Sequence, residues 1–344
     1  MKTINNLFML CILVAFISCN TKKEKEVQVS KKGVDKVETT TLSAGELAPE
    51  TINSFEKKFG THSGKRRNHI TGFCFSGEIT LKDPTIREYS RSPIFSEKPL
   101  QVMGRFSHKG GVKNDESIPG EYGMALEIQL GDGSIHNITM NTLDFFPVNT
   151  PEGFLKLMQA KVSGKAEDFD KLKQEHPEFK NFKAHYAKKP KQELTHYANH
   201  QFNSVNSFYF VNENDIKTPV RWSFIPINKK IGLDGEKGVD YYKETEKALT
   251  GNKTLSWEMV VTIANENDAI NKAASIWTGN HKEIVAAVLT IDAVAMEGPC
   301  NDKNFDPLVL KDGIIPSDDP VLLFRSPTYA ISTGRRLTEK HTKE

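Results

Sequence analysis

YGMALEIQLGDGSIHNITM, residues 122–140, decides the fold class. Apolar residues recur at strand-like spacing on both sides of LGDGS, where glycine supplies the positive φ of a tight reversal. Two strands joined by so short a turn pair antiparallel. Six further runs have the same β-rich character: FCFSGEITL (73–81), PLQVMGRFSH (99–108), SFYFVNE (207–213), VRWSFIPI (220–227), LSWEMVVTIA (255–264) and IVAAVLTIDAVAM (284–296). Two groups of four strands suit a closed eight-stranded antiparallel β-barrel. With flanking and C-terminal helices, the fold class is α+β.

The helical segments lie between and after the two groups. NTPEGFLKLMQAKV (149–162) offers Thr150 as N-cap and Pro151 at the first helical position, with Phe154, Leu157 and Met158 on one face. KAEDFDKLKQEHPEFKNFKAHYAKK (165–189) continues helically with an interruption at Pro177. GVDYYKETEKAL (238–249) and ENDAINKAASIW (266–277) read as helices flanking the seventh strand.

The 344 residues are 38% hydrophobic and 26% charged, the composition of a globular protein. A formal net charge of +2 gives no reason to expect nucleic acid as a partner. Lys2 followed by the apolar run Leu7–Ile17 reads as a secretory signal over residues 1–18. FISC ends it in the manner of a bacterial lipoprotein signal, which makes Cys19 a lipid anchor to the membrane on the periplasmic side of the cell envelope. Phe16 is atypical of that box, and plain secretion to the periplasm is the alternative. Residues 19–48 are polar and nearly free of aromatics, hence a flexible tether, and residues 49–344 form one domain. Cys74 and Cys300 are the cysteines of that domain, either disulfide-bonded or buried as thiols.

Chemistry concentrates in four places. KRRNHITGFCFSGEITL (65–81) holds Arg66 and His69 before a glycine-spaced strand. MGRFSHKGG (103–111) puts Arg105 and Ser107 on one face of a strand, with Phe106 on the other. MNTLDFFPVNTPEGF (140–154) ends a strand at Asn141 and leads through Phe145 and Phe146 to Phe154. In LLFRSPTYAISTGRRL (322–337), Arg325 and Tyr329 are four residues apart, neighbours on a helix, and Arg336 follows seven residues later. Each signal is weak alone. His62, His108 and His136 read as surface or core residues, and no phosphate-cradling loop or metal-ligand spacing is present.

In fixed order, these segments resemble the haem catalase superfamily, and most closely its small catalase-related peroxidases. The match runs over most of residues 50–337: R-x-x-H before a glycine-aromatic strand at Arg66–Gly77, R-F-S at Arg105–Ser107, N-T-x-x-F-F at Asn141–Phe146, and R-x-x-x-Y with a later Arg-Leu at Arg325, Tyr329 and Arg336–Leu337. The resemblance implies a haem b cofactor (iron protoporphyrin IX). It makes His69 the distal acid–base, Ser107 its hydrogen-bond partner and Asn141 the amide that orients peroxide. Tyr329 would ligate the iron as tyrosinate, with Arg325 beside it. Arg66, Arg105 and Arg336 would meet the propionates, Phe154 would pack on the porphyrin, and Arg335 would be a surface charge.

Residue chemistry agrees with these roles. Neutral histidine can both take and return a proton near pH 7. An amide can donate to a developing oxyanion without adding charge. Ionising a free tyrosine at pH 7 costs roughly 4 kcal/mol, which an adjacent cation offsets. One departure concerns the channel. The family's aspartate three residues before the strand glycine, here Gly123, is replaced by Gly120, with Glu121 alongside. With eight residues after Arg336, the expectation is a chain without the C-terminal additions of full-size catalases. Both departures imply a more open haem and a peroxidase that reduces hydrogen peroxide or organic hydroperoxides with a small-molecule reductant, with at most weak catalase activity. A non-catalytic haem-binding lipoprotein and a true monofunctional catalase are the alternatives, and the expected state is monomer or dimer.

Overall fold

The computed structural model describes residues 43–342 apart from 114–115, 117–118, 191–193, 228–229, 234–239 and 252–253. The signal segment, Cys19 and the tether up to residue 42 therefore lie outside the described residues. The tether ends earlier than residue 48, because helix α1 spans Ala44–Phe59. The Glu46 carboxylate accepts from the backbone N–H of Ser43 (2.9 Å), closing the helix start, and Leu47 and Ala48 are buried.

Ten strands follow in chain order: β1 (Gly72–Leu81), β2 (Leu100–His108), β3 (Tyr122–Gln129), β4 (Ile135–Asn141), β5 (Phe202–Asn203), β6 (Phe208–Val211), β7 (Lys217–Pro226), β8 (Leu255–Ile263), β9 (Glu283–Ala295) and β10 (Ile314–Pro316). Between them lie α2 (Pro151–Ser163), α3 (Ala166–Glu175), α4 (Glu178–Lys188) and α5 (Tyr241–Thr250), and α6 (Pro320–His341) closes the chain. The neighbours run β5-β4-β3-β2-β1-β9-β8-β7-β5, all antiparallel, so eight strands close a barrel.

The membership of that barrel differs from the sequence reading in one stave. The run 207–213 forms β6, which pairs with β10 on the outside, while the two-residue β5 bridges β4 to β7. β5 and β6 lie along the same edge of β7, with Phe202 opposite Phe224 and Phe208 opposite Val220. Residues 204–207 bulge out between them, and Val205 takes a φ of 64° there. The expected helix at 266–277 is absent and turns occupy the segment. Its backbone serves tertiary partners instead: Ala273 accepts from Phe146 N–H (2.8 Å), and Ala274 N–H donates to Asn149 (2.9 Å).

The barrel interior is packed with Phe73, Phe75, Phe106, Met124, Leu126, Phe202 and Trp257, all buried. A Cβ on Gly104 would lie 2.0 Å from the Phe75 ring opposite it, so glycine makes room for that ring. Because side chains alternate along a strand, Arg105 and Ser107 face away from Phe106 and out of the barrel. Helices α1, α2 and α6 pack on one another and carry the opposite side of the cleft described below. A disulfide joins Cys74 of β1 to Cys300, with Cα atoms 5.6 Å apart, so the bonded alternative holds. Among the described residues, no helix is long and apolar enough to cross a membrane.

Candidate functional site

The register of three barrel strands builds one wall of a cavity. Ser107, Gly123 and Asn141 stand opposite one another on β2, β3 and β4, so Ser107 and Asn141 are two strands, roughly 10 Å, apart. Glycine between them leaves the row open. A Cβ at Gly123 would lie 2.9 Å from Ser107 Oγ and 3.2 Å from His69 Nδ1.

His69 precedes β1 with a φ of 55°, a left-handed conformation that is uncommon without glycine. Asn68 holds it there, since its Oδ1 accepts from the backbone N–H of His69 (2.9 Å) and of Gly110 (2.8 Å). His69 Nδ1 lies 3.0 Å from Ser107 Oγ. Burial, then the Lys109 and Arg105 cations, push the His69 pKa down to about 3, so the ring is neutral at pH 7. Asn141 Oδ1 accepts from Leu143 N–H (2.8 Å), which leaves its NH2 group as the donor end.

Across the cavity, α6 presents Arg325, Tyr329 and Arg336 along one face. Arg325 Nη2 donates to the Tyr329 hydroxyl oxygen (3.2 Å) and Nη1 to Asn206 Oδ1 (3.3 Å). Asn206 Nδ2 in turn donates to the buried Asp319 (3.1 Å). The break between β5 and β6 is what brings Asn206 to this point.

The third element is cationic. Arg66 donates to the carbonyls of Cys300 (3.1 Å), Asn301 (3.3 Å) and Lys303 (2.8 Å). Arg336 shares the Asn301 carbonyl (2.9 Å). Arg105 donates to the carbonyls of His69 and Ile70, both at 3.0 Å, and to Asn301 Oδ1 (3.4 Å). Burial first, then the Arg105 and Arg336 charges, hold the Arg66 pKa well below its ordinary value, and burial brings Arg105 down to about 10. None of the three has an ion pair among the described residues. Arg336 Nε is buried with no hydrogen-bond partner. Among the described residues, no cluster of three or more His, Cys, Asp or Glu could hold a bare metal ion.

One cavity, about 1360 Å³ of empty space counting its mouth, is lined by all nine residues singled out from the sequence: Arg66, His69, Arg105, Ser107, Asn141, Phe154, Arg325, Tyr329 and Arg336. Phe154 sits edge-on to Phe55 of α1 (6.0 Å between centroids). Sequence reasoning missed Asn206 and the α1 residues Thr51, Ile52 and Phe55 in the lining, and Asn301, which binds the arginines from behind it. A signal existed for α1, whose apolar and small residues recur at helical spacing through LAPETINSFEKKF. The polar interruption SVNS in a β-rich stretch marked Asn206. Arg335 is more than a surface charge, since it donates to Glu56 (2.7 Å) and Asn53 (2.7 Å) and ties α6 to α1. Glu121 does not line the cavity and pairs with Lys109. His62 is exposed, whereas His108 and His136 are buried core residues.

No protein-family model matches the chain. A catalase-related peroxidase of Synechococcus elongatus is 31% identical over 314 residues, covering 86% of this chain and 90% of the relative. One from Mycolicibacterium paratuberculosis is 24% identical over 309 residues, covering 86% and 96%. Among solved structures, a bacterial catalase aligns with a TM-score of 0.65 at 16% identity, over 80% of this chain and 58% of that one. Catalase A from Saccharomyces cerevisiae aligns with a TM-score of 0.62 at 17% identity, over 79% and 61%. The chain thus spans about three fifths of the catalases whose fold it shares, and nearly the full length of the smaller relatives. With that coverage and identity to a named relative, the chain belongs to the family of catalase-related peroxidases.

Proposed function

We propose that the protein is a haem-dependent peroxidase that reduces hydrogen peroxide or organic hydroperoxides with an external electron donor, with at most weak catalase activity. The observation that carries this reading is the convergence of all nine sequence-selected residues on one cavity. The residues fit haem b. Three guanidiniums without acidic partners, one with an orphaned buried Nε, are a cradle for two propionates. Phe154, Phe146 and Val205 supply apolar surface for a flat macrocycle.

Tyr329 would hold the iron through its phenolic oxygen, and the Arg325 guanidinium is placed to balance the negative charge of that oxygen. When bound, haem supplies the redox chemistry that splits the peroxide O–O bond. The chain's own part is proton movement and orientation. With Nδ1 engaged by Ser107, His69 Nε2 takes the proton from one peroxide oxygen and returns it to the departing one. The Asn141 NH2 group donates to the oxygen on which charge develops. The leader-like sequence ending at Cys19 supports anchorage at the periplasmic side of a bacterial membrane.

The test is peroxide consumption by the haem-loaded protein with and without an organic donor. Donor-dependent consumption that His69→Ala lowers by about 10²-fold or more, with haem retained, supports the reading. Faster oxygen release from peroxide alone would make the protein a catalase. Full peroxide consumption by His69→Ala would remove His69 from its role.

A further inference from the structure

A second cavity shares two side chains with the first. It encloses about 620 Å³ counting its mouth and is lined by Lys65, Gly72, Glu297, Asn301 and Lys340, and by Arg66 and Arg105, which also line the larger cavity. Two guanidiniums are therefore common to both. Each arginine has five N–H donors, and the carbonyl and amide acceptors described above engage three on each, which leaves two on each to be divided between a propionate on the side of the first cavity and an anion on the side of the second.

The lining carries four cations against the single carboxylate of Glu297. That carboxylate does not lock the cavity shut. Its ion pair with Lys65 is 3.1 Å long and open to water, with side chains 50% and 69% exposed, so it exchanges readily for a ligand, while the other Glu297 oxygen accepts from Asn301 Nδ2 (2.6 Å) and stays turned away from the lysine. Lys340 likewise stands at the surface beside Asp302. Arg105, by contrast, is built in and only 5% exposed. Gly72 is what lets it lie there, since a Cβ would fall 2.9 Å from its guanidinium carbon and 2.1 Å from the Phe106 carbonyl oxygen.

An exposed cationic rim over a buried cationic floor suits a small anion. We propose that this second cavity is the docking subsite for a small carboxylate- or enolate-bearing electron donor, which delivers electrons to the cofactor of the first cavity across Arg66 and Arg105. The binding part stands on this cavity alone, and the redox part rests on the peroxidase reading. The reaction balances as two donor anions AH⁻ and one ROOH giving two radicals A•⁻, one ROH and one H2O. Each donor loses one electron and one proton, and the O–O bond takes up both. A donor needs only the edge of a redox group to pass an electron, so it need not enter the peroxide side, where His69 and Asn141 stand.

The experiment uses the haem-loaded protein, with ascorbate as anionic donor, guaiacol as neutral donor and benzoate as a redox-inert carboxylate. Reversing the rim in a Lys65→Glu, Lys340→Glu double variant should lower the ratio of kcat/KM for ascorbate to that for guaiacol roughly tenfold. Benzoate affinity, measured by calorimetry, should fall by a similar factor. Lys65→Gln with Lys340→Gln should give a smaller loss, of roughly threefold. An unchanged donor ratio, or benzoate affinity that ignores both variants, would overturn the subsite. Phosphate competing with benzoate at equal concentration would reduce it to an unselective anion hole and overturn the donor role. If peroxide is consumed with neither donor while benzoate binding still follows the lysines, the peroxidase reading fails and the donor role with it, leaving only a carboxylate site.

Discussion

Gly123→Ala is the substitution that tests most sharply how the barrel wall positions the acid–base. The new methyl would sit 2.9 Å from Ser107 Oγ and 3.2 Å from His69 Nδ1, both closer than a carbon tolerates comfortably. Ser107 can rotate to relieve the first contact, and in doing so it breaks the 3.0 Å hydrogen bond to His69. One side-chain hydrogen bond contributes about 1 kcal/mol, so the variant should fold and melt only about 2–4 °C lower. His69 itself must also give way, and a displacement approaching 1 Å at an acid–base costs up to about 10²-fold in rate. Ser107→Ala loses the same hydrogen bond without pushing the ring, and should therefore keep more activity than Gly123→Ala. The assay is the donor-dependent rate of peroxide consumption, with haem content measured alongside. Equal rates for wild type and Gly123→Ala at equal haem content would refute the claim that the Ser107–Gly123–Asn141 row sets the site.

His69 is held neutral down to about pH 3, so the peroxide rate should show no inflection near the ordinary histidine value of 6.5; one that vanishes in His69→Gln would contradict this. His136 is wholly buried, accepts from Lys311 N–H through Nδ1 (3.1 Å), and has its pKa lowered to about 3 by burial. Because the unfolded histidine protonates first, its share of stability is complete above about pH 6.5 and is lost as pH falls from there toward 3, amounting to about 2 kcal/mol at pH 5. Urea unfolding at pH 7 and 5 should show that difference shrinking in His136→Gln. Cys74→Ser removes a cross-link closing 226 residues and should cost about 2–5 kcal/mol in denaturant unfolding. It should also weaken haem retention, since the carbonyls of residues 300–303 hold Arg66 and Arg336. An unchanged haem affinity in Cys74→Ser would show that those carbonyls are placed by packing alone.

Seven of the eight staves were legible because each is long enough to show its apolar pattern. β5 was not, since two residues carry no periodicity; it exists through tertiary pairing of Asn203 with Asn141 and Ser223. The segment 266–277 has helix-forming residues, but its backbone groups find better partners in Phe146 and Asn149. The nine cavity residues could be read because each falls in a segment whose order and spacing resemble the haem catalase superfamily, although each segment is a weak signal alone. Asn301 could not, because its role arises only once a disulfide-pinned loop brings it to the arginines, and Asn206 left no more than the polar interruption SVNS, since a strand break is what brings it to Arg325. Two cysteines alone could not say whether they pair, and the closeness of β1 to residue 300 decides it.

We propose that Tyr329, beside Arg325 and across the cavity from His69 and Asn141, would hold the haem iron. Absorption spectra of the ferric haem-loaded wild type and of Tyr329→Phe and Tyr329→His test it most directly. Distinct Soret and charge-transfer bands for the three proteins, with haem lost or loosely held in Tyr329→Phe, are the predicted result. Identical spectra and haem content in all three would place the iron elsewhere and contradict the account.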